Sequence, residues 1–599
     1  MPDLSSKKFA SVFARALEGS GRLTKNDLRA LKDAQASITA PKEKAAAESI
    51  MALLRNDAEL DSFELDPVRK ALGVLTGVSR GPLPPDLEAV LKNAVPSANV
   101  NVKHYDLTFD LTGKRDAFPA RAIVALDAKA PAVAVLEANP ERLTVSRVLV
   151  EGKAVPFEQK DGRLFITAPG AKALQVEYTV KPDDTVDPNA FGLIRDKYTG
   201  RMWTMTWPYN TGALFPSSSN PADGATASVV VKVAAGIEAV ATGTKTPKGA
   251  FVSSAEAPSY AIAFYAAPDF ELGNAGHSHG GVEVSSFGNG KKIPEANRKA
   301  YAEAAKASLT FYESWLGKYD YGPTLKLVEV PGGLGGMEHT AAVAIMMNAA
   351  RNVEAAKETA AHEVAHHWFG DNVRIKNWGD FWMSEGFTNY ATFRYFRHAE
   401  GEDKFRDLLR NAREEITDAL RHTPHALSAP AHTDVHEIFT ALPYQLGPWL
   451  LRMMEAELGT PKLDALLKDW FQTNRQKAVS TDDFVAFAKK KTGHDFGPFF
   501  AEWNTITAVP KLEALSKVKG NVVEAQLNAR NEYPKGLKVP LELSGPAGTK
   551  TVMVSPGAPV KIDAGFPVQG VRWDPEMTVL AYLHTIAGPP KATRDWATT

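Results

Sequence analysis

The chain has 599 residues, 69 Lys and Arg against 70 Asp and Glu, and no cysteine. That length predicts three or four domains, and a net charge of −1 argues against a nucleic acid or an anionic membrane as partner. Without cysteine, disulfides and thiolate metal sites are excluded, leaving histidine and carboxylate as the strong ligand types.

Residues 1–84 read as a helical N-terminal extension. Thr24 is placed to cap a helix that carries Leu28 and Leu31. Ala45 to Leu54 and Val68 to Val74 continue the helical pattern, and Ser79 to Pro85 reads as a linker. Lys7 and Lys8 precede a short apolar run that Arg15 and Glu18 interrupt, too early for a signal-peptide core. No run of about 18 apolar residues is present, so no transmembrane helix and a cytoplasmic location are expected.

From 95 to 272 the apolar period is 2, as in Tyr105, Leu107, Phe109 and Leu111, and again in Leu174, Val176, Tyr178 and Val180. An antiparallel β-rich domain is predicted, with a turn at Glu151-Gly152. From 273 to 505 the pattern becomes mainly helical, and from 506 to 588 period 2 returns as a small β-sandwich. In that last unit Pro540 suggests an edge strand. The fold class is therefore multidomain α+β.

The helical part carries His362-Glu363-Val364-Ala365-His366, with Glu385 following after 18 intervening residues. On a helix the two imidazoles at i and i+4 share one face and can close on one metal ion. A helix is predicted over 352–369, stopped by Gly370, and Ser384 is a candidate N-cap for a second helix bearing Glu385. His362, His366 and Glu385 form the three-ligand set of a catalytic zinc site with an open fourth position. Glu363 is free to serve as general base toward water at the metal. His367 points to another face of the helix and reads as structural.

The runs His362–Gly370 (HEVAHHWFG) and Trp378–Gly386 (WGDFWMSEG) resemble the gluzincin aminopeptidases of the aminopeptidase N and leukotriene epoxide hydrolase type. Gly335-Gly336-Met337-Glu338-His339 is similar to that family's GxMEN exopeptidase motif, and Pro443–Gly447 (PYQLG) to its PYEKG segment. The resemblance implies a saddle-like β domain over a thermolysin-like catalytic domain and a single zinc ion. It implies peptide substrates with a free N-terminus. It also makes Tyr444 the stabiliser of the oxyanion and Glu338 the partner of the substrate ammonium. The glycines at 335 and 336 would let a peptide backbone approach closely, with Met337 beside it.

The chain departs from the family at His339, where asparagine is usual, and at Gln445 and Leu446. Histidine at 339 could orient Glu338 or, if protonated, compete with the substrate for it. Ser217 replaces the cysteine of an FPCxD-like run. The same zinc shell suits an internal peptide bond or an epoxide, and a third reading is an inactive binding scaffold. The presence of Glu338 favours free amines, and the complete ligand and base set favours catalysis.

Overall fold

The computed structural model describes residues 4–17, 23–54, 60, 65–78, 83–87, 98–113, 115–185, 187, 190–289, 292–333, 335–422, 426–429 and 435–587. Most of the predicted linker, residues 79–82, lies outside them.

Four helices, Leu4–Ala16, Lys25–Ala36, Pro41–Leu53 and Leu65–Thr76, close around Phe9, Phe13, Leu31, Ile50 and Leu72. Thr24 does cap the second of them, in a reciprocal box with Asp27.

A β-rich unit follows, with a core of its own formed by alternate residues such as Tyr105, Leu107, Phe109, Leu174 and Val176. Its main sheet is mixed rather than purely antiparallel, because Val102–Asp110 pairs in parallel with Gly224–Lys232. The chain travels through a second, four-stranded sheet before returning to pair with Val102–Asp110 inside the main sheet. Glu151 and Gly152 both adopt positive φ, 50° and 78°, which makes the tight turn between paired strands.

The strand Phe270–His277 carries the chain across residue 272 into a five-stranded sheet. Glu283–Asn289, Thr324–Val330, Ala342–Met346 and Gly336–Met337 follow in spatial order, the last forming the far edge. Helices pack beneath it. Val353–His366 is rich in alanine, and the buried Ala356, Ala360, Ala361 and Ala365 allow close packing against Glu295–Trp315. The hydroxyl of Tyr312 donates to the Ala361 carbonyl at 3.1 Å and fixes that contact.

Trp382–Glu400 and Ala441–Leu458 cross at two glycines. A Cβ added to Gly447 would lie 2.5 Å from the Gly386 Cα, so neither position tolerates a side chain. This crossing sets Glu385 and Tyr444, each close to a glycine in sequence, on one site.

The C-terminal unit stacks a four-stranded sheet and a three-stranded one. Pro540 is not on an edge strand. Val539–Gly545 is the middle strand of its sheet, and the proline is tolerated because the third strand pairs only from Leu541 to Ser544. No helix among the described residues is long and apolar enough to cross a membrane.

Beneath the site, the buried Glu455 carboxylate accepts from Arg452 at 2.7 Å, Arg397 at 2.9 Å and Thr460 at 2.7 Å. Burial alone would raise its pKa, but Arg452, Thr460 and Arg394 outweigh it and hold it at about 2. The folded-state value is below the unfolded one, so the stabilisation is present above about pH 4.5 and is lost as pH falls through about 2. Glu455→Gln should therefore cost about 3 kcal/mol at neutral pH. Urea unfolding at a series of pH values should show the gap closing towards pH 2; a gap independent of pH would refute this account.

Candidate metal centre

The Val353–His366 helix starts at Asn352, whose side chain accepts from the amides of Glu354 and Ala355. It ends at His366, earlier than the sequence pattern suggests, because the chain turns through Gly370 at φ 112°. The Trp382–Glu400 helix has no side-chain cap, and Ser384 lies inside its first turn. The start of this helix is held instead by Asp380, which accepts from the Thr481 amide at 2.9 Å and the Thr481 hydroxyl at 2.7 Å.

These two helices bring His362, His366 and Glu385 together. The Nε2 atoms of the histidines are 3.0 Å apart, and Glu385 Oε2 lies 3.2 Å from one and 3.3 Å from the other. Tetrahedral zinc with bonds of about 2.0–2.1 Å separates neighbouring ligands by about 3.3 Å. The histidine tautomers fit as well. His362 Nδ1 donates to Asn389 Oδ1 at 2.7 Å, and His366 Nδ1 donates to the Phe369 carbonyl at 3.0 Å. Both Nε2 atoms are thus left with lone pairs, facing a buried Glu385 oxygen that has no hydrogen-bond partner among the described residues. Three converging lone pairs require a cation, so the residues fit a zinc ion.

The electrostatics agree. Burial would strip the proton from His366, but the carboxylates of Glu385 and Glu338 outweigh it, so positive charge is favoured here. Burial would likewise raise Glu385, and the two imidazoles pull it well below the usual carboxylate range.

Glu363 is buried with a carboxylate oxygen within 4.8 Å of the ligating nitrogens of both histidines. Burial pushes its pKa well up, with Glu338 and Glu385 adding and His366 opposing. Its side chain lies against Gly336, where any Cβ would come within 2.7 Å of Glu363 Cγ and Oε1. Glycine there is what allows the edge strand to run beside the helix.

The strand and helix run in register across the cavity. Gly335 lies beside Thr359, Gly336 beside Glu363, and the buried Glu338 interacts with His366. Burial raises Glu338 to about 6 against the pull of His366. A cavity of about 420 Å³ contains Gly335, Gly336, Met337, Glu338, the three His and Glu donors, Glu363 and Tyr444 in its walls. The Tyr444 ring lies over that of His362 at 6.4 Å. Burial, with Glu385, Glu338 and Glu363 nearby, raises the pKa of its phenol well above its usual value.

His339 is not part of that wall. Its ring is fully buried on the other side of the strand, with Nδ1 donating to the Tyr265 hydroxyl at 2.6 Å. Tyr265 in turn donates to the Ala342 carbonyl at 2.9 Å. Burial drives the pKa of His339 down to about 3, so it carries no charge to compete for Glu338. Consecutive residues of an extended segment face opposite ways, which is why Glu338 reaches the cavity and His339 does not.

His367 is turned away from the metal ligands. It donates from Nδ1 to the Val364 carbonyl and accepts the Ala341 amide at Nε2.

Two neighbours have no counterpart in the sequence analysis. Asn389 orients His362 and donates to the Tyr444 carbonyl at 2.7 Å, joining ligand and phenol. Its position one turn after Glu385 was the available signal. Trp207 reaches the cavity from the β-rich unit and packs on Phe439 at 5.1 Å. Its signal in the sequence is the aromatic, turn-rich run Trp207–Gly212 (WPYNTG).

Comparison with known proteins agrees with this geometry. Residues 301–503 match the Peptidase family M1 domain. Tricorn protease-interacting factor F2 of Thermoplasma acidophilum is 23% identical over 77% of this chain and 61% of its own length. Probable aminopeptidase 1 of Sulfurisphaera tokodaii is 23% identical over 71% of this chain and 55% of its own. The chain thus spans little more than half the length of these curated relatives. Among solved structures, an M1 zinc metallopeptidase from Deinococcus radiodurans aligns with a TM-score of 0.57 at 22% identity, over 69% of this chain and 94% of that one. Legionella pneumophila aminopeptidase A aligns with a TM-score of 0.64 at 17% identity, over 81% and 60%. The three candidate ligands, Glu363 and Tyr444 all lie inside residues 301–503, the segment of the chain that matches the Peptidase family M1 domain.

Proposed function

We propose that the protein is a zinc aminopeptidase that removes single residues from peptides with a free N-terminus. The observation that carries this reading is the placement of Glu338. The strand Gly336–Met337 is the free edge of its sheet, and the cavity runs along it. A peptide paired with that edge would meet the Glu338 carboxylate at one end, with the metal ligands just beyond. Glu338 then holds the ammonium and fixes the first peptide bond at the ligand set. An internal bond or an epoxide has no use for such a carboxylate, so these alternatives are disfavoured. Relatives named aminopeptidases point the same way.

His362, His366 and Glu385 would hold one zinc ion, whose charge polarises a carbonyl and acidifies water when bound. Glu363 takes the proton of the attacking water and returns it to the leaving amine nitrogen. Its raised pKa suits it to release that proton as well as accept it. Tyr444 stays a hydrogen-bond donor, because its pKa is pushed further above neutrality. It donates to the substrate carbonyl oxygen as negative charge develops there.

Tyr444→Phe should lower kcat about 100- to 1000-fold with little change in KM. Steady-state kinetics on an aminoacyl amide decide this: a KM effect alone would reduce Tyr444 to a binding group, and undiminished kcat would remove it from the mechanism.

A further inference from the structure

The cavity continues past the ligand set, away from Glu338. Its lining includes Glu358 and Thr359, one turn before His362 and Glu363 on the same helix, together with Leu408, Glu415 and Gln445. Because the register places Glu338 beside His366 and Gly335 beside Thr359, this outer arm receives the residues that follow the scissile bond. That orientation rests on the aminopeptidase reading.

The arm is rich in acceptors. Among the described residues, five glutamates line the cavity and no lysine or arginine does. Four of them are accounted for: Glu385 by the metal, Glu363 by proton transfer, Glu338 by the substrate ammonium, and Glu358 by Lys404 at 2.6 Å. Glu415 has no cation within ion-pair distance among the described residues, only the Gln445 amide, whose Nε2 donates to it at 2.8 Å. Among the described residues, Glu415 thus offers the cavity a carboxylate that no cation neutralises. Glu415 stands on the exposed side of its helix at the cavity mouth, where a long side chain can reach it from bound peptide.

We infer that Glu415, supported by Gln445, selects peptides with a lysine or arginine within the two residues after the scissile bond. The cationic head would supply the missing charge to Glu415, which the Gln445 amide holds in place, while its aliphatic stem packs along Leu408 and Ala412.

The test is leucine release from two sets of tetrapeptides, Leu-Xaa-Ala-Ala and Leu-Ala-Xaa-Ala, with Xaa lysine, alanine or glutamate. At one of the two positions kcat/KM should rise about fivefold from alanine to lysine and fall by a similar factor to glutamate, as for a partly exposed ion pair. Glu415→Gln should shrink the lysine-to-glutamate ratio, Glu415→Lys should invert it, and added salt should weaken it in the parent. Equal rates at both positions, or a preference that survives both substitutions, would overturn the inference while leaving the aminopeptidase reading intact. No release from any peptide would overturn that reading, and this one with it.

Discussion

Glu363→Gln should abolish turnover, lowering kcat about a thousandfold or more, while the protein keeps its fold and its zinc. The amide is nearly isosteric with the carboxylate and fits the same space against Gly336, so packing is preserved. What is lost is the ability to accept and return a proton, commonly worth about 100- to 10,000-fold. The zinc should remain because the ligand set is carried by His362, His366 and Glu385, whose donor atoms lie within 3.3 Å of one another. Kinetics paired with metal analysis separate the possibilities. Activity within tenfold of the parent would remove Glu363 as base, and loss of zinc would make it a ligand.

Glu338→Ala should lower kcat/KM for unblocked substrates about a hundredfold and erase most of the preference for them over acetylated ones. Glu338 is buried, so the substrate ammonium that reaches it leaves water almost completely. Removing one partner of a buried pair commonly costs about 2–5 kcal/mol, since the remaining charge is left without compensation. Acetylated substrates carry no such charge and should gain relative to free ones in the variant. The comparison is made on matched amides differing only in the acetyl group. An unchanged free-to-acetylated ratio would show that the ammonium is recognised elsewhere.

The convergence of His362, His366 and Glu385 was legible in the chain because a helix repeats its face every three to four residues, a rule that survives any tertiary context. His362 and His366 needed only that, and Glu385 needed a second helix at a plausible distance. Its start was not legible. Ser384 has the chemistry of a cap, yet the helix begins at Trp382, because Asp380 is tied to Thr481, about a hundred residues away in sequence. Long-range bonds of this kind leave no local pattern. His339 was misplaced for a different reason: a motif read as a string treats neighbours as cooperating, whereas in an extended segment they part to opposite faces. Gly386 and Gly447 illustrate the same limit, since each explains the other only once the two helices cross. The β-rich unit was legible as period 2, but its parallel pair was not, because alternation reports burial of a face and carries no strand direction.

Removal of one residue at a time from a free amino end is the central activity proposed for this chain. Its most direct test is a mass-spectrometric time course of the zinc-loaded protein on an unblocked decapeptide and its N-acetylated twin. The expected result is a ladder of products, each shorter by one N-terminal residue, from the unblocked peptide and none from the acetylated one. Internal fragments, or equal consumption of both peptides, would contradict the claim.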